Sequence, residues 1–60
     1  MKKYLWKAIV ENMDEKEKTK WEENGEINAI DQYDGAEIVL NMLMLKRNLH
    51  VKNFIIKEER

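Results

Sequence analysis

The sequence predicts an α+β mini-domain. It is a small three- or four-stranded, mainly antiparallel sheet with one helix packed on one face, in the order β-β(-β)-α-β. Three observations predict it. Sixty residues without Cys or Pro make a single domain, residues 1–60, with little chain beyond two layers. Residues 4–10 and 51–56 are short runs rich in aromatic and β-branched side chains, the mark of strands. Between them, residues 36–45 form the only long apolar run, at helical spacing.

The first strand is residues 4–10. Tyr4, Trp6, Ala8 and Val10 alternate onto one face, and Leu5 and Ile9 fall on the other beside Lys7 and Glu11. The even set is expected to face the helix. Trp6 is therefore expected in the core. Trp21, among Lys20, Glu22 and Glu23, is expected to be more exposed.

Residues 12–15 read as a turn. Two readings compete for residues 14–30. In one, Asp14 caps a short helix that ends at Asn24, with Gly25 in the left-handed stop position. In the other, residues 18–23 are a strand, Asn24-Gly25 is a type I′ turn and residues 26–30 pair back. The hairpin is preferred, because the helix would have only Trp21 to bury.

Residues 31–34 are a polar break. Asp34 is the expected N-cap, with Glu37 three residues on as its capping-box partner. The helix is expected over 35–48, its start eased by Gly35. Lys46 and Arg47 fall in its last turn, where cations suit the helix dipole. Residues 51–56 close the fold as a strand, and residues 57–60 are a solvated tail. The first and last strands are the most apolar, which places them near the sheet centre.

The helix is apolar on two sides. At about 100° per residue, Ala36, Val39, Leu40 and Leu43 share one arc. Ile38, Met42, Leu45 and Leu49 share a second, and Glu37, Asn41 and Asn48 form a polar strip between them. A helix on one sheet needs only one apolar face. The second arc, Ile38, Met42, Leu45 and Leu49, is the expected protein interface, although spacing alone leaves open which arc meets the sheet. A domain this small buries only about 60% of its unfolded surface and usually needs an added support. Without Cys there is no disulfide, so self-association is the expected support.

Composition excludes several function classes. There is no Ser and no Cys, and Thr19 is the only Thr. His50, the only His, falls at a helix-to-strand junction and reads as a helix-end cation or turn residue. Gly25 and Gly35 form no phosphate-binding pattern. Glu22-Glu23 and Glu58-Glu59 lie in polar surroundings, without the apolar pocket that acid–base tuning requires. No catalytic residue, cofactor or metal site is expected. No segment reaches the roughly 18 apolar residues of a membrane span. Met1-Lys2-Lys3 lacks the apolar stretch of a signal peptide, and a cytoplasmic home is the expectation.

The net charge of −1 hides an asymmetry. Residues 14–34 carry eight acids against three lysines, leaving −5, while residues 1–13 carry +2 and residues 46–60 carry +3. Lys2, Lys3, Lys7, Lys46, Arg47 and Lys52 are the candidate nucleic-acid contacts if the terminal strands are neighbours, with Tyr4, Trp6 and Phe54 available for stacking. A pI of about 5.8 is far from the usual basic footprint. The acidic middle raises the further option of a nucleic-acid mimic, diluted by its lysines.

The expected function is a non-catalytic protein-binding module, a small regulator or inhibitor acting through an apolar helix face. Its partners would be a second copy of itself, as a homodimer, or another protein. Nucleic-acid binding through the basic terminal strands is the alternative. In size and element order the chain resembles accessory proteins of phages and mobile elements.

Overall fold

Strand β1 alternates as its sequence dictates, and the rest of the fold is built on it. The computed structural model describes residues 1–12 and 19–59. Its elements are β1 (Lys2–Asn12), β2 (Lys20–Ala29), α1 (Gln32–Asn41), a π-helical continuation (Met42–Lys46) and β3 (Leu49–Glu58). The fold is α+β, with a three-stranded antiparallel sheet in the order β2-β1-β3 and the helix between β2 and β3 in the chain. Strands and helix contribute to one core. Trp6, Ala8, Val10 and Leu49 from the sheet cluster with Val39 and Leu43 from the helix, and Trp21, Ile27, Met42, Val51, Phe54 and Ile56 pack against it.

β2 departs from both expectations for the middle of the chain. Asn24-Gly25 turns no hairpin, and residues 20–24 are strand rather than helix. The expected turn at residues 12–15 and the start of the proposed helix lie largely outside the described residues. Asn12 itself ends β1. A ten-residue ladder from Lys2↔Ala29 to Glu11↔Lys20 satisfies more backbone than a short hairpin, which is marginal alone. Gly25 has a packing reason in this ladder. It stands opposite Trp6, and a Cβ on it would lie 3.1 Å from the indole Nε1.

β1 takes the central position, as expected, but β3 does not; it forms an edge. Its apolar residues reflect one buried face, not two. Leu49 is buried and Val51, Phe54 and Ile56 are half-buried, whereas Ile55 on the other face is 59% exposed. β3 also runs further than residues 51–56. Lys57 pairs with Leu5 and Glu58 with Tyr4, and the Glu59 N–H donates to the Lys3 carbonyl at 2.9 Å. A bulge interrupts the register between Ile9/Asn53 and Val10/Val51, leaving Lys52 as the extra residue.

The helix starts and stops earlier than its apolar run suggests. Asp31, in extended backbone, is the N-cap, and its Oδ1 accepts from the Asp34 N–H at 2.8 Å. Asp34 turns back to accept from the Ile30 N–H at 3.1 Å. The reciprocal cap is therefore Asp31/Asp34, one turn before Asp34/Glu37. Gly35 lies inside the helix, not at its mouth, and lets it approach the sheet. A Cβ there would meet Ile56 Cδ1 at 3.1 Å and the Ala29 Cβ at 3.4 Å. After Asn41 the turn widens, with the Arg47 N–H reaching the Met42 carbonyl at 3.1 Å. Asn48, at φ 52°, ends the helix in the left-handed conformation that Asn tolerates.

Candidate interaction surfaces

The two faces of the helix separate by burial. On the first arc Val39 and Leu43 are fully buried, and Ala36 and Leu40 are half-buried. On the second arc Ile38 is 42% exposed, Met42 is half-buried and Leu45 is 79% exposed. Leu49 does not belong to that arc. It opens β3 and is buried at 5% exposure. The wider π turn changes the angle per residue past Asn41, so a projection at 100° fails there. Met44, 48% exposed, adds to the uncovered apolar surface at this end of the helix.

The helix end is tied to β2 through one carboxylate. Glu23 Oε1 accepts from the Arg47 guanidinium and Glu23 Oε2 from the Trp21 indole N–H, both at 2.8 Å. Trp21 is half-buried and Trp6 is 7% exposed, in the expected order.

The candidate nucleic-acid contacts do not gather. Lys3 and Lys7 alternate with Leu5 and Ile9 on the sheet face opposite the core. Lys2 pairs with Glu58 at 3.7 Å, Lys3 with Glu26 at 3.7 Å and Glu59 at 4.0 Å, and Lys52 with Glu11 at 3.9 Å. Lys46 and Arg47 close the helix, Arg47 on Glu23. Among the described residues, acids sit beside Lys2, Lys3, Arg47 and Lys52. Glu11 is 4% exposed, opposite His50 in the register.

The open sheet face holds a shallow depression of about 550 Å³ where Leu5 and Ile55 are flanked by Lys7, Lys57, Asn24 and Glu26. Among the described residues no three His, Asp or Glu side chains converge as a metal site, and no helix is long and apolar enough to cross a membrane.

Residues 20–29 were the part of the surface least visible in the sequence. Their even positions are Lys20, Glu22, Asn24, Glu26 and Asn28, and their odd positions include Trp21, Ile27 and Ala29. That period-two pattern is a strand signal, masked by an Asn-Gly pair that normally marks a turn. No protein-family model, curated protein or solved structure compared with this chain matches it.

Proposed function

We propose that the chain is a non-catalytic protein-binding module that pairs with a second copy of itself through the outer side of its helix. The observation that carries this reading is the exposure of Ile38 and Leu45, with Met42 half-buried between them, along the helix and its π-helical continuation. The shape supports it. The molecule measures 40 × 18 × 13 Å and exposes 4698 Å², where a compact monomer of its mass exposes about 4200 Å².

The expected strength is modest. Fully burying one large aliphatic side chain contributes roughly 1.5–3 kcal/mol. Two partly exposed ones from each copy contribute about 6 kcal/mol gross, against an association cost of at least about 4 kcal/mol. Dimerisation is therefore weak and depends on concentration.

Sedimentation equilibrium tests it. The average mass should rise above 7.3 kDa as concentration climbs through the micromolar into the millimolar range. Leu45→Glu should abolish that rise with circular dichroism unchanged, because an unpaired charge resists burial in the interface. A chain that stays monomeric at every concentration, or whose Leu45→Glu variant associates normally, overturns the reading.

A further inference from the structure

The two edges of the sheet are unlike. In β1–β3 the Lys3 carbonyl bonds the Glu59 N–H, so the odd residues of β1 face β3. From Phe54 onward the even residues of β3 then point their backbone groups outward, and two of these groups are occupied. The Phe54 N–H donates to Asn53 Oδ1 at 2.9 Å and the Ile56 carbonyl accepts from Gln32 Nε2 at 3.2 Å. The bulge at Lys52 breaks the same strand. Such devices close a strand edge to further pairing.

β2 is open by the same logic. The Asn12 N–H donates to the Thr19 carbonyl at 3.2 Å, in register with Glu11↔Lys20. The odd residues of β2 therefore bond β1, and Lys20, Glu22, Asn24, Glu26 and Asn28 turn their N–H and C=O groups outward. β2 ends the sheet, and no bulge interrupts its ladder. The side chains beside these outward groups are Lys20, Glu22, Asn24, Glu26 and Asn28, with Glu26 also 3.7 Å from the exposed Lys3 ammonium, and the opposite side of the strand presents half-buried Trp21 and Ile27.

We infer that the free edge of β2 takes up an extended segment of a partner protein by strand addition, one that alternates basic and apolar side chains. Its basic residues would lie on the open face opposite Glu22 and Glu26, where opposite charges across a strand pair are favourable. Its apolar residues would cover Trp21 and Ile27. A second copy of β2 suits this edge less well in the symmetric register that pairs most of the strand. In the antiparallel register centred on Asn24, Glu22 faces Glu26 twice, and like charges directly opposite destabilise the pair. This site is separate from the helix surface and does not depend on self-association there.

The probe is a capped peptide of alternating Lys and Val, about eight residues long to match a strand. Controls carry Glu for Lys, or N-methyl groups along one edge. Amide hydrogen exchange by NMR should show the Lys–Val peptide protecting Glu22, Asn24, Glu26 and Asn28. Affinity should fall at least about tenfold, or 1.4 kcal/mol, for each control. The pair Glu22→Lys and Glu26→Lys should reverse the preference toward the Glu–Val peptide. Asn24→Pro should abolish binding and keep the fold, because its N–H points away from the ladder. If that variant does not fold, the N-methyl control decides. Leu45→Glu should leave peptide binding intact, which separates this site from the helix surface. The inference is overturned if the Lys–Val peptide fails to bind at millimolar concentration, binds no better than Glu–Val, or protects β3 or helix amides instead. It is also overturned if the outward amides of β2 become protected in the protein alone as concentration rises, since the occupant is then a second copy.

Discussion

Replacing Gly25 by Val sets a local preference against a long-range contact, and the geometry says which wins. Val is favoured over Gly in a strand by up to about 1 kcal/mol. The new Cβ would, however, sit 3.1, 3.2 and 3.3 Å from Nε1, Cζ2 and Cε2 of Trp6, inside the 3.5–4.0 Å of ordinary carbon contact. Trp6 is 7% exposed and belongs to the central cluster, so it has little room to retreat. Either the core strains, at about 1–3 kcal/mol, or the indole swings out. Exposing about a third of its surface, some 80 Å², costs about 2 kcal/mol at 25 cal/mol per Å².

Asn24→Val is the control. It carries the same strand preference on the exposed face, away from the indole. The two variants should differ by about 2 kcal/mol, with Gly25→Val the weaker. A domain of this size has only about 3–5 kcal/mol in total. With a urea slope near 1 kcal/mol/M, the midpoints should lie about 2 M apart when followed by far-ultraviolet circular dichroism. Trp6→Leu should remove most of the difference, as expected of a directly coupled pair. Midpoints that coincide would refute the packing account of Gly25 and return it to a turn.

The geometry sets three further outcomes. Asp31→Ala removes the carboxylate that accepts from the Asp34 N–H and should cost about 1 kcal/mol in a thermal melt, whereas Glu37→Ala, at the exposed position expected from sequence to complete the cap, should stay within about 0.5 kcal/mol. Glu23→Ala breaks the bonds to Trp21 and Arg47 together and should cost about 1–2 kcal/mol with a change in tryptophan emission; an unchanged spectrum would show that the carboxylate does not hold the indole. Leu43→Glu places a charge at a fully buried position and should unfold the chain, while Leu45→Glu should keep its circular dichroism; similar spectra for both variants would mean that the arcs are not divided as described.

What was legible in the sequence is what repeats locally. Tyr4, Trp6, Ala8 and Val10 sit on one side of a strand because side chains alternate, and all four are buried. Val39 and Leu43 share a helix face for the same kind of reason. What was hidden depends on partners distant in sequence. Gly25 reads as a turn beside Asn24 until Trp6, 19 positions earlier, is laid across it by the ladder. The capping Asp is settled by which carboxylate reaches a free N–H, and both Asp31 and Asp34 are acceptable residues for the role.

Leu49 shows how such errors bear on function. Projected along an ideal helix, it completes the apolar stripe of Ile38, Met42 and Leu45. The π turn and the left-handed Asn48 carry it out of the helix and into the sheet, where it is buried opposite Asn12. The stripe loses its fourth member and is shorter than the sequence suggests, and so the association expected of it is weak. Among the described residues, nothing pairs with the outer edge of β2, while the outward Phe54 N–H and Ile56 carbonyl of β3 are occupied. Main-chain pairing along that edge offers several directed hydrogen bonds, whereas the helix stripe offers only undirected apolar area. If both surfaces bind as proposed, the edge has the greater capacity to discriminate between partners, and the charges of Glu22 and Glu26 would set the direction of that choice.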